Sequence, residues 1–178
     1  MQLIITAVGD HQGTVFSELL KLIQECSCNI QESRMSMMGG HCLGLLLVQG
    51  NWNHVAKLEN LLSAHQQRTG FHVYYKRLAG EGSSGKEDAL LYVTEIVAKD
   101  QPGILGNLVD FFVSQGVGIQ DLRSSCYQVP YVKSAVSTIH MLLKIPDDIS
   151  VITLRDDYLE FCEKLYVDAI LEPVKPIV

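Results

Sequence analysis

The sequence predicts an α+β protein made of two copies of one βαββαβ unit, each with an antiparallel sheet. Three observations predict it. The 178-residue chain overlays on itself at an offset of 89 positions, strand-like and helix-like runs follow in the same order in both halves, and a glycine-, serine- and charge-rich stretch without a large apolar residue separates them. The expected domains are residues 1–78 and 89–178, with a linker at 79–88, "AGEGSSGKED".

The overlay runs without a gap from residues 8–36 onto 97–125. Val8/Val97, Gln12/Gln101, Leu19/Leu108, Ile30/Ile119, Gln31/Gln120, Arg34/Arg123 and Ser36/Ser125 are identical pairs, and Glu32/Asp121 keeps its charge. Val15, Phe16, Leu19, Leu20, Leu22 and Ile23 fall on Ile104, Leu105, Leu108, Val109, Phe111 and Phe112, so every apolar position of one helical face is kept.

The first copy reads as strand 2–9, helix 14–27, strand 29–37, a Gly39-Gly40 turn, strand 42–49, helix 53–67 and strand 71–77. The turn rests on the tolerance of glycine for positive φ. The second helix rests on Val55, Leu58, Leu61 and Leu62 at helical spacing, after Asn51 and Asn53 as possible caps. The second copy reads as strand 89–98, helix 103–115, strand 117–128, strand 135–145, helix 150–165 and strand 167–174, with Pro130 in an elongated hairpin connection. Antiparallel sheets covered by helices on one face, in this order, make two tandem ferredoxin-like domains.

Composition fits an ordinary folded protein, with 47% hydrophobic and 19% charged residues. The longest apolar run, "LGLLLV", falls far short of the roughly 20 residues that cross a bilayer, and no basic leader precedes the first strand, so a cytoplasmic protein without membrane contact is expected. Five cysteines, odd in number and unevenly spaced, fit reduced thiols better than a disulfide framework. Residues 1–78 carry net charge +1 and residues 79–178 carry −7. With a pI near 5.4, no basic cluster beyond Lys76-Arg77 and no helix-turn-helix outside the two units, direct DNA binding is not expected.

"DQPGIL" after a strand, then an amphipathic helix and "GVGIQDLRS", resembles the ACT domain, a ferredoxin-like module that senses amino acids. "CSCNIQESRMSMMGG" and "LLLVQGNWNHV" make the chain similar to the glycine cleavage system transcriptional repressors, a family of stand-alone tandem-ACT proteins. The resemblance implies an amino-acid-sensing regulator that docks on a LysR-type activator of the glycine cleavage genes, glycine releasing it. Two other outputs share the fold: a regulatory subunit of a metabolic enzyme, and an interaction module without a ligand.

In the loop itself, Pro102 suits the first turn of a helix, Gly103 lets a ligand approach the backbone, and the free N–H groups of the helix suit a carboxylate. Asp100 can accept from an ammonium group. The same four residues also read as a plain helix cap, and both readings stand at the level of sequence. The resemblance implies a ligand held between paired domains, within a chain or across a homodimer, by the loop of one and an Asn at the second-strand start of the other. The intact set is Asp100, Gln101, Pro102, Gly103, Ile104 and Leu105 with Asn29 and Ile30. The reciprocal set, His11, Gln12, Gly13 and Thr14 with Gly118 and Ile119, departs from the motif and is expected to be weak or vacant.

Other groups carry less. Cys26, Cys28, His41 and Cys42 match no closed zinc spacing, and no catalytic elbow, cofactor motif or metal site is evident, so neither an enzyme nor a cofactor is expected. Met35 and Met37 alternate as one sheet face, for which core packing is expected, although with Met38 they could make a partner surface. Trp52 is either an interface anchor or a cover for its own core. Arg34 and Arg123 are expected to pair with acidic groups near the domain interface.

Overall fold

The computed structural model describes residues 1–10, 14–69, 71–79, 89–128, 130 and 135–174. The elements run β1 (Gln2–Gly9), α1 (Thr14–Glu25), β2 (Asn29–Met38), β3 (His41–Gln49), α2 (Trp52–Thr69) and β4 (His72–Leu78), then β5 (Ala89–Lys99), α3 (Ile104–Ser114), β6 (Gly118–Gln128), β7 (Ala135–Pro146), α4 (Val151–Leu165) and β8 (Asp168–Pro173). The chain divides into two units, Met1–Ser84 and Gly85–Val178. Most of the expected linker, residues 80–88, lies outside the described residues.

Each unit has one four-stranded antiparallel sheet, in the order β2-β3-β1-β4 and β6-β7-β5-β8. Alternation sets which face is buried. Leu3, Ile5 and Ala7 of β1 and Leu46 and Val48 of β3 pack against Leu19 and Ile23 of α1 and Val55, Leu58 and Leu62 of α2. In the second unit Ile96, Ile139, Met141 and Leu143 meet Leu108 and Phe112 of α3 and Leu154 and Tyr158 of α4. Among the described residues of its own unit, no helix covers the opposite face of either sheet, and Ile4, Leu45, Val97 and Ile170 are exposed there.

The repeat extends to irregularities. A β-bulge falls between Ile30 and Glu32 in β2 and between Ile119 and Asp121 in β6, so Gln31 and Gln120 are the extra residues. The ends of α1 and α3 share one closure. Ser27 at φ 53° and Gly116 at φ 76° are left-handed, and the next N–H, of Cys28 or Val117, donates to Ile23 O or Phe112 O at 3.2 and 3.0 Å. That closure ends α1 at Glu25, two residues before the sequence expectation.

Asn51 caps α2, its Oδ1 accepting from the His54 N–H at 2.8 Å. Met35 and Met37 correct the expectation of core packing: they are 54% and 43% exposed, and Met38 is 67% exposed. β2 is an edge strand, and the helices bury β1 and β3 but not its far half, where residues 31–38 are all exposed.

Candidate functional site

Chain direction and turn chemistry build the loop after β5. The Asp100 N–H donates to Ala135 O at 2.9 Å, holding the strand end against β7. The Ile104 N–H then donates to Gln101 O at 3.5 Å, and Gly103 at φ 87°, ψ −10° has the geometry of the third residue of a type II turn. Pro102 therefore occupies the second turn position and precedes the helix, rather than lying in its first turn as the sequence suggests. Positive φ requires glycine at 103, and no atom lies within 4 Å of where its Cβ would stand.

Gly103 is also the N-cap of α3 and supplies no side-chain cap. The start of α3 thus keeps its positive dipole end open to the space over the loop. Asp100, Gln101, Pro102 and Gly103 are exposed, Leu105 is half-buried, and the Ile104 side chain lies in the core. The chemistry on offer is a carboxylate acceptor beside helix N–H donors.

Asp100 is not a helix cap. Its Oδ1 accepts a hydrogen bond from Ser137 Oγ at 2.7 Å. Ser137 is 7% exposed and sits opposite Cys126 in the β6–β7 register. Partial desolvation, and next the Asp100 carboxylate, push the Cys126 thiol up from its ordinary pKa. Sequence reasoning missed Ser137 and Cys126. The available signal was a hydroxyl at an inward position of "AVSTIHMLLKIP", where alternation calls for an apolar group.

In the first unit, His11, Gln12 and Gly13 lie outside the described residues, and Thr14 is the exposed first residue of α1. Asn29 opens β2 and is exposed, Ile30 packs on the core, and both border an open hollow of about 590 Å3 with Ser27 and Cys28. Gly118 opens β6 and is exposed, while Ile119 packs on the second core. Asp10 and His41 are joined at 2.7 Å, Oδ1 to Nδ1.

The paired arginines are held alike. Arg34 reaches Glu32 at 3.3 Å and Arg123 reaches Asp121 at 3.1 Å, each acid two residues earlier on the same strand. Side chains at both sites are partly to largely exposed, so such a pair is worth about 0–1 kcal/mol. On the open face of the second sheet, Glu95, His140 and Arg123 form a row across β5, β7 and β6; the same places in the first unit hold Thr6, Leu45 and Arg34. Trp52 is 61% exposed and covers no core. All five cysteines are free thiols, with Cys26, Cys42 and Cys162 buried. Among the described residues no helix is long and apolar enough to cross a membrane.

Residues 1–76 match the ACT domain family. The glycine cleavage system transcriptional repressors of Escherichia coli (strain K12) and Shigella flexneri are each 22% identical to the chain over 163 residues, covering 92% of it and 85% of the relative. A crystal structure of a candidate glycine cleavage system transcriptional repressor superposes with a TM-score of 0.73 at 22% identity, covering 98% of this chain and 97% of that one. A protein of unknown role from Galdieria sulphuraria also gives 0.73, at 19% identity, with 98% of both chains covered. Residues 1–76 thus match the ACT domain family, the second unit repeats the topology of the first strand for strand, and the chain, two tandem ferredoxin-like units, is similar over nearly its whole length to the glycine cleavage system transcriptional repressors.

Proposed function

We propose that the chain is a cytoplasmic amino-acid-sensing regulator that represses glycine cleavage genes through a LysR-type activator protein, glycine binding releasing it. One observation carries the ligand half of this reading: the turn at Gln101–Ile104 opens the uncapped start of α3 beside the Asp100 carboxylate. A zwitterionic amino acid has a partner for each end there, its carboxylate at the helix N–H groups and its ammonium at Asp100. Asn29 and Ile30 complete the set by sequence register, because the first copy keeps the Asn where the second has Gly118. Similarity to the repressors over 92% of the chain supports the regulatory output, and a net charge of −6 favours a protein partner over DNA.

Calorimetry with glycine and the other amino acids, on the wild type, Asp100→Ala and Asn29→Ala, tests the ligand half. One site per chain that weakens in both variants supports it. Two equivalent sites, or no heat and no thermal shift with any amino acid, overturn it. A gel shift with glycine cleavage promoter DNA tests the output: a specific complex formed by this chain alone would defeat the partner-protein reading. Capture of a metabolic enzyme, with no activator, from native extract would favour the regulatory-subunit alternative.

A further inference from the structure

Strand register lays out the helix-free face of the first sheet in three rows across β2, β3, β1 and β4. One row is Glu32, Leu47, Ile4 and Lys76, the next is Arg34, Leu45, Thr6 and Tyr74, and the third is Ser36, Leu43, Val8 and His72. The middle of the face is therefore largely aliphatic, with Ile4 and Leu45 exposed and Leu43, Leu47 and Val8 half-buried. Charge and the aromatic ring lie on the outer strands, where Tyr74 is 68% exposed. Among the described residues Lys76 has no ion-pair partner in its own unit. Between Glu32, Arg34, Leu45 and Leu47 the face dips into a hollow of about 160 Å3. A contiguous apolar face with a polar rim marks an interaction surface.

We propose that this face packs on the same face of a second copy of the chain, about a two-fold axis that runs along the strands, with the sheets about 10 Å apart. That operation lays β2 of each copy over β4 of the other and β3 over β1. Row by row, Glu32 then meets Lys76, Arg34 meets the ring of Tyr74, and Leu47 meets Ile4, each contact made twice. The result is an aliphatic centre closed at both sides by an ion pair and a cation–π contact, with the Tyr74 ring seated at the hollow beside Arg34. Face packing uses side chains alone and leaves the backbone bonds of both sheets as they are. The charges select this arrangement. A two-fold axis across the strands, centred on the same row, would set Arg34 against Arg34 and Lys76 over His72. The second sheet does not repeat the match: the operation along its strands sets Asp121 over Glu172, both acidic, and puts His140 and Glu95 in place of the aliphatic Leu45 and the neutral Thr6.

Sedimentation velocity and light scattering on the full chain test the pairing, with circular dichroism confirming the fold of every variant. The wild type forms a concentration-dependent dimer. Leu45→Glu weakens it by roughly tenfold or more, because the change falls at the centre of the contact and occurs twice per dimer. Leu45 lies on an inner strand, so that variant leaves both edges of the sheet unaltered and separates face packing from association through the edges. Lys76→Glu also weakens the dimer, by setting like charges opposite one another, and adding Glu32→Lys restores it. None of these residues belongs to the Asp100 and Asn29 set, so the outcome is independent of amino-acid binding. A wild type that stays monomeric at all concentrations, a Leu45→Glu variant that associates like the wild type, or a double variant that fails to recover would each overturn the proposed face.

Discussion

Ser137 Oγ lies 2.7 Å from Asp100 Oδ1, a strand hydroxyl donating to the carboxylate at the start of the loop between β5 and α3. The bond fixes which way the carboxylate faces. Hydrogen bonds to charged groups are worth about 1.5–3 kcal/mol, so Asp100→Ala lowers amino-acid affinity by roughly tenfold or more. Ser137→Ala, which removes only the orienting group, has a smaller effect in the same direction. Calorimetry on the two variants gives the ratio.

Gly103→Ala and Gly106→Ala change stability in opposite directions. At Gly103 the positive φ of 87° strains any other L-residue by about 1–2 kcal/mol even though the space is open. Gly106 lies in α3 with nothing within 4 Å of its Cβ position, so alanine there stabilises by about 0.5–1 kcal/mol. Urea unfolding measures both.

Tyr158 Oη and Thr94 Oγ1 share a buried hydrogen bond of 2.7 Å in the second core. Tyr158→Phe leaves the Thr94 hydroxyl without that partner and costs about 1–3 kcal/mol; adding Thr94→Val recovers much of it. Burial pushes the Tyr158 phenol far above its ordinary pKa. The neutral form is the one the fold keeps, so its contribution is complete below the unfolded value of about 10 and is lost as pH rises above it, by up to about 1.4 kcal/mol per pH unit. Unfolding followed from pH 9 to 11 shows that decline, and it is smaller in the Tyr158→Phe variant, where the thiols of Cys26 and Cys162, also pushed up by burial, still contribute.

Cys126 is exposed, yet its thiol is held above the ordinary pKa, in part by Asp100. Thiolate is the reactive form. Disulfide-reagent labelling of Cys126 is therefore slow for an exposed cysteine at neutral pH and speeds up in Asp100→Asn, which removes the negative charge. A bound amino acid covering Asp100 slows it further.

Most of the fold was legible because it depends on alternation and helical period, which sequence carries directly. The sequence reading did not anticipate the shared irregularities, although the bulges at Gln31 and Gln120 and the helix closures at Ser27 and Gly116 fall at the same offset of 89 residues. Met35 and Met37 were misread because alternation identifies a face but not how far the helices extend over it. Pro102 was assigned to the first turn of the helix, when it lies just before the cap, because Pro-Gly serves both a helix start and a type II turn, and only the φ of Gly103 separates them. Ser137 was missed because its partner is set by strand register 37 residues away.

The extra residue in β2 and β6 has a consequence for how the two halves can change. After the bulge, Glu32 and Arg34 look out from the helix-free face, as do Asp121 and Arg123, whereas strict alternation from Ile30 or Ile119 would turn the acids inward. Substitution at these outward places is free to proceed, and the halves have diverged there, Thr6 and Leu45 standing where the other half has Glu95 and His140. Loss of Gln31 or Gln120 would put Glu32 directly after Ile30, or Asp121 directly after Ile119, in plain alternation, so the acids would still face outward and the strand would lose only its local bend and twist. The bulge thus absorbs one residue without moving any outward side chain, and the two halves drift in what those faces carry while keeping the same bend.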